Sequence, residues 1–325
     1  MSHPPEEAER RLPASPVPFD TLDTYYVRRP PRKFRNRVWV HASLFVVTLA
    51  STTLLGYSHY VSYLSEFGRR AVALSWSTVA GGLWYSLTIL AILGAHEFGH
   101  YYFCRRYNVD ASLPYFLPFP LALTGTLGAV IKIREPFPTR TVLFDIGVGG
   151  PIAGFLVLVP ALFIGMSMSS VVPVPTGQGV FYMGEPLLFK VAAWLNFGAL
   201  PDSQTINMHP MVFAAWFGML ATALNLLPFG QLDGGHITYA TLGRWSTPIS
   251  IATVATAIAM TYNSRSWIVM TIMMLVMLAL LGPRHPRVIY EYEPLARRRW
   301  LIAIFALVMF ILCFTPVPID ELVKG

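Results

Sequence analysis

The sequence predicts an all-α polytopic membrane protein, with about seven transmembrane helices and a small β-strand element in the loop between the second and third. Three observations predict it. Of the 325 residues, 54% are hydrophobic and only 13% charged, and the mean hydropathy is positive at +0.51. Several apolar runs approach the ~20 residues that a helix needs to cross the hydrocarbon core. The basic residues lie between those runs, which is how membrane helices are oriented. The net charge of +7 is therefore a statement about topology, and no nucleic acid is expected as a partner.

Taken in order, residues 1–37 are Pro-rich and partly acidic and lack an apolar signal core, so a cytosolic, disordered leader is expected. A membrane domain over 38–318 follows, with spans at roughly 38–57, 83–103, 144–166, 210–229, 245–262, 266–282 and 299–316, and a short tail at 319–325. The loop at 111–140 opens with proline-broken apolar sequence and continues as LGAVIKIR, whose β-branched alternation predicts a strand. The loop at 167–209 contains EPLLFKVAAWLNFG, which predicts a short amphipathic helix at the membrane surface. No repeat, coiled coil or appended soluble domain is expected. Cys104 and Cys313 have no metal or redox spacing and read as apolar-facing thiols.

With the N-terminus inside, 19 of the 24 Lys and Arg fall on the inner side, counting Arg299 at the mouth of the last span. The bias orients the chain with its N-terminus cytoplasmic and its C-terminus outside. Spans two and four both run inward. They deliver HEFGH (96–100) and NLLPFGQLDGGH (225–236) to the same side at similar depth.

HEFGH fits H-E-x-x-H, which places two histidines four apart on one helix face, where His96 and His100 can hold one metal. Glu97 lies about a third of a turn away, within reach of a water at that metal without being a ligand. Ionisable groups inside a span cost roughly 2.5–3.5 kcal/mol each, so three together need a reason, and a shared metal in a wet cavity supplies one. A catalytic zinc site wants a third protein ligand and an open position. Asp145, Asp233 and His236 are the contenders. The glycines after Asp233 favour it by letting backbones approach, whereas Asp145 also suits a helix start.

HEFGH in an apolar span, joined to NLLPFGQLDGG on a later one, resembles the site-2 protease family of intramembrane zinc metalloproteases. The likeness runs from about residue 83 to 240. It includes GTLGAVIKIREPFPTRTVLFDIGVGGPIAGF, which is similar to the bacterial and plastid branch, and no PDZ or CBS domain is found. The resemblance implies one Zn2+ per chain held by His96, His100 and Asp233, with Glu97 as catalytic acid/base and Asn225 at the substrate or developing oxyanion. It implies a transmembrane protein substrate cut in regulated intramembrane proteolysis, and residence in a bacterial cytoplasmic membrane or alternatively a plastid membrane.

A membrane helix hides its peptide bonds in internal hydrogen bonds and must unwind before water can attack. The LGAVIKIR strand could receive the unwound segment as an added strand, through the N–H of Val130 or Ile131. The rival expectation is a metal transporter or a protein that binds membrane segments without cutting them. Such a protein has no need of Glu97 beside the ligands, and the internal repeats of many transporters are missing. Prenyl-protein endopeptidases take their third ligand from a later glutamate, and the glutamates after Glu97 all lie outside the apolar spans.

Overall fold

A computed structural model of the chain describes residues 33–321 apart from 121–122, 176–180, 263, 283–284 and 293. Most of the expected leader and the last residues of the tail lie outside the described residues. The unit from Phe34 onward is built in the order α1 (Val38–Leu64), α2 (Trp76–Gly81), α3 (Leu83–Arg106), β1 (Tyr115–Pro118), β2 (Thr126–Val130), α4 (Arg140–Ser167), β3 (Ser170–Pro173) and β4 (Phe181–Met183). It continues with α5 (Leu187–Phe197), β5 (Gln204–Asn207), α6 (Pro210–Asn225), α7 (Asp233–Leu242), α8 (Ser246–Met260), α9 (Ser266–Leu281), α10 (Arg297–Cys313) and β6 (Ile319–Glu321).

The chain is mostly helical, and each of the seven apolar runs forms a helix. Among the described residues, three helical stretches are long and apolar enough to cross a membrane: Val38–Leu64, Trp76–Arg106 and Arg140–Ser167. The helices on the other four runs, α6, α8, α9 and α10, have 15 to 17 residues, short of the ~20 needed for a perpendicular crossing.

Local chemistry sets the ends of the long helices. Ser75 and Thr78 cap each other's backbone at the start of α2, which runs into α3 through Gly82. Thr139 accepts a hydrogen bond from Val142 N at the start of α4. Pro210 opens α6 at a position whose N–H has no helical partner in any case.

The sequences at 144–166 and 210–229 hold a single charged residue between them, Asp145, and are otherwise almost wholly apolar, as central helices should be. Accordingly 72% of the α4 window is buried inside the protein, against 22% for the peripheral α1. Tyr85, Phe144, Leu158, Leu162, Trp216 and Met219 fill the core that α3, α4 and α6 share. The amphipathic helix expected in the outer loop is α5. It buries Leu188, Phe189 and Ala192 and exposes Leu187, Val191, Trp194 and Leu195.

The expected strand is present and shorter than LGAVIKIR. β2 ends at Val130 and pairs antiparallel with β1, Tyr115 opposite Val130, with a register shift at Leu117/Pro118. The partner strand was hidden in the proline-broken YFLP; Pro118 sits at its very end, where a missing N–H is tolerated. Two further small pairings, β3 with β5 and β4 with β6, were not anticipated.

Candidate metal centre

His96 and His100 lie on one face of α3, four residues apart, and both are buried at 7% exposure. Asp233 comes from the first turn of α7, which starts after the chain leaves α6 and turns through Pro228, Phe229 and Gly230. The Gly-Gly after Asp233 makes that approach feasible. A Cβ on Gly234 would lie 2.1 Å from Leu226 O, and one on Gly235 would lie 2.3 Å from Gly230 O. Any larger residue would push the start of α7 off the carbonyls of the turn that precedes it.

The result is a tight triad. His96 Nε2 is 3.1 Å from Asp233 Oδ2, His100 Nε2 is 3.3 Å from Asp233 Oδ1, and the two Nε2 atoms are 3.1 Å apart. Among the described residues this is the group of His, Cys, Asp and Glu side chains placed to hold a metal ion. Ligands at 2.0–2.2 Å around a tetrahedral zinc stand about 3.3 Å from one another, which matches these separations.

The donor set fits as well. His100 Nδ1 is 2.7 Å from Ile146 O, and a carbonyl can only accept, so Nδ1 carries the proton and Nε2 presents a lone pair. Two imidazole nitrogens and a carboxylate converging within 3.3 Å of one another form a donor set that a divalent cation would join. The triad therefore fits zinc.

Glu97 is buried at 8% exposure and, being adjacent to His96, is carried by the same turn. The backbone N–H of Ile131 approaches its carboxylate. Lys132 donates its N–H to Ser112 Oγ and accepts from Ser112 N–H, so its polar groups face the hairpin. Alternation along an extended strand turns Ile131 the other way, towards Glu97. Of the two expected substrate-facing positions, Val130 stands opposite Tyr115 within the hairpin and Ile131 borders the metal centre. Asn225, the last residue of α6, brings Nδ2 to 3.3 Å from His96 Nε2.

The other two contenders for third ligand are engaged elsewhere. Asp145 is gripped by Arg299, Nε to Oδ1 and Nη2 to Oδ2 both at 2.8 Å, and also accepts from Tyr107 Oη. His236 Nδ1 is 2.6 Å from His285 Nε2. Desolvation by burial lowers the pKa of both imidazoles, so that pair is neutral near pH 7. Sequence reasoning had no means of finding Ile146, Arg299 or His285, because each acts through a contact made only by the folded chain.

Comparison with known proteins agrees with the motifs. The profile of Peptidase family M50 matches residues 84–264. The chain is 30% identical over 220 residues to the probable zinc metalloprotease EGY1, chloroplastic, of Arabidopsis thaliana, covering 62% of this chain and 39% of that protein. It is 34% identical over 165 residues to the EGY1 of Oryza sativa subsp. japonica, covering 48% and 27%. With the probable zinc metalloprotease EGY2, chloroplastic, of Arabidopsis thaliana it shares 30% over 170 residues, covering 50% and 29%. The chain thus spans less than two fifths of the length of each of these relatives. No solved structure matches it. Since the family profile covers more than half of the chain and encloses both motifs, this protein belongs to peptidase family M50, the site-2 protease family of zinc metallopeptidases.

Proposed function

We propose that this protein is an intramembrane zinc metallopeptidase that hydrolyses peptide bonds in or near transmembrane segments of membrane-protein substrates, the reaction of regulated intramembrane proteolysis. The observation that carries the reading is the convergence of His96, His100 and Asp233 at 3.1–3.3 Å beside a buried carboxylate. His96, His100 and Asp233 are read as the ligands of one Zn2+ per chain. Zinc, when bound, supplies a Lewis acid that brings the pKa of water towards ~7.

The protein's own groups do the rest. Glu97 takes a proton from the attacking water as its oxygen adds to the scissile carbonyl carbon. It returns that proton to the amide nitrogen as the carbon–nitrogen bond breaks, leaving a carboxylic acid and an amine. Asn225, whose Nδ2 lies 3.3 Å from His96 Nε2, is read as the donor to the oxygen that gains charge in that step. The extended chain just after β2 carries the Ile131 N–H beside Glu97, which supports entry of an unwound substrate as an added strand.

The membrane setting has support of its own. Seven spans, with the N-terminus cytoplasmic and the C-terminus outside, remain the reading favoured by the Lys/Arg distribution. The four shorter helices would complete their crossings with flanking residues. A bacterial cytoplasmic membrane was the first expectation and a plastid membrane the alternative; the chloroplastic designation of the relatives speaks for the alternative. A transporter or non-cleaving binder leaves the placing of Glu97 without a purpose.

The test is metal analysis of the purified protein alongside cleavage of a panel of single-span substrates. One zinc per chain with cleavage inside or beside the span is expected. A zinc-loaded protein that cleaves none of the panel refutes the reading.

A further inference from the structure

The helix that supplies Asp233 is short, ten residues, and has no side-chain cap at its N-terminus. Something other than its own length must fix its rotation about its axis. The helix packs along α4, where Gly147 lies against His236 Cβ, and it is also contacted by the loop between α9 and α10. His285 Nε2 meets His236 Nδ1 at 2.6 Å, one turn along α7 from Asp233. The His285 ring stacks on Tyr239 with centroids 4.5 Å apart and planes at 16°. Tyr239 Oη donates to Glu291 Oε1 at 3.1 Å. Residues 285 and 291 therefore bracket positions 236 and 239, one face of α7.

The same segment is tied to the start of α4. Ile289 N donates to Phe137 O at 3.1 Å and Tyr290 N to Pro138 O at 2.8 Å, and Thr139 and Tyr290 form a parallel bridge. Arg140, the first residue of α4, reaches Glu291 at 3.6 Å. That helix also carries Ile146 O, which orients His100. One segment thus links the helix bearing Asp233 to the helix supporting His100.

The protons in this contact have one arrangement. His285 Nδ1 lies 2.6 Å from Pro286 O, which can only accept, so the His285 proton is on Nδ1. Its Nε2 is then a lone pair that accepts from His236 Nδ1–H. Both rings are held in single tautomers, so the contact fixes one geometry between the loop and the helix that carries Asp233.

We propose that residues 285–291 form a strap that sets the rotation of α7 and so the placing of Asp233, with His285 as the positioning residue. This rests on the reading of His96, His100 and Asp233 as zinc ligands.

The test uses the full chain in detergent, zinc affinity by chelator competition, and thermal unfolding of the metal-stripped protein. His285→Leu fills the space but leaves His236 Nδ1 without an acceptor. It should weaken zinc binding by up to about 10-fold, the lower end of what losing a group bonded directly to a ligand costs, with the metal-free unfolding midpoint close to that of the parent. His285→Gln, whose amide reaches the same nitrogen, should recover most of the loss. Parent-like zinc affinity in His285→Leu overturns the proposal. So does a loss that glutamine fails to rescue or that is matched by a drop in the metal-free midpoint. If His285→Leu does not accumulate, Tyr239→Phe probes the other end of the strap: weaker zinc binding supports it and parent affinity overturns it. Failure of the underlying reading is visible separately, because Asp233→Ala would then keep its zinc.

Discussion

Gly150 of α4 lies so close to His100 of α3 that a Cβ at position 150 would stand 2.1 Å from His100 Nε2. The ring has no room to yield, because its Nδ1 is anchored on Ile146 O. A glycine in a helix interior is intrinsically unfavourable by about 1 kcal/mol relative to alanine. Here it is what lets an imidazole occupy the space between two packed helices.

Gly150→Ala is therefore expected to leave the helices intact and displace His100. Zinc titration of the purified variant should show affinity reduced about 10-fold or more, by analogy with other disturbances of ligand orientation. Parent-like affinity would show that the ring relaxes freely.

Glu97→Gln preserves size and hydrogen bonding but cannot accept a proton. Zinc content should match the parent while cleavage of a single-span substrate falls by about 100-fold or more, the range assigned to general acid–base catalysis. Substantial residual cleavage would remove Glu97 from that role.

Asp233→Ala should fail to hold one zinc per chain, whereas Asp145→Ala and His236→Ala should still reach that stoichiometry at saturating zinc. The Asp145 variant should suffer differently. Removing one partner of a largely buried, bidentate pair strands Arg299 and costs on the order of 3 kcal/mol, visible as a lower unfolding temperature. Loss of zinc that follows Asp145 instead would reassign the third ligand.

Orientation can be read by labelling single cysteines with an impermeant reagent. Ser203 and Tyr292 are both exposed and lie in loops that the Lys/Arg bias puts on opposite sides. Ser203→Cys should label from outside and Tyr292→Cys should not. The reverse pattern inverts the topology.

Proline scanning tests how substrate is held. Ile131→Pro removes the N–H that borders Glu97 and should cut cleavage strongly with zinc retained. Ile131→Ala should be milder, because the side chain is not the contact. Val130→Pro strikes a position paired with Tyr115, so its effect should also register in the hairpin's stability. Full cleavage by Ile131→Pro would dispose of the strand-addition idea and leave the zinc reading standing.

What the sequence determined by itself is local or periodic. Four-residue spacing on a helix puts His96 and His100 on one face whatever surrounds them, and apolar runs become helices because an unpaired backbone is untenable away from water. The glycines after Asp233 already favoured it as third ligand, and the family likeness chose it and added Asn225. Long-range contacts decided the rest. Asp145 and Asp233 looked alike as carboxylates near apolar sequence. Only folding brings Arg299, 154 residues away, onto the first and the two imidazoles onto the second. YFLP became a strand because β2 was there to pair with it, against the local bias of its proline. The turn between α6 and α7 carries Asp233 to its place because Gly234 and Gly235 admit carbonyls where a side chain would collide, a constraint that exists only once α7 has folded back onto that turn.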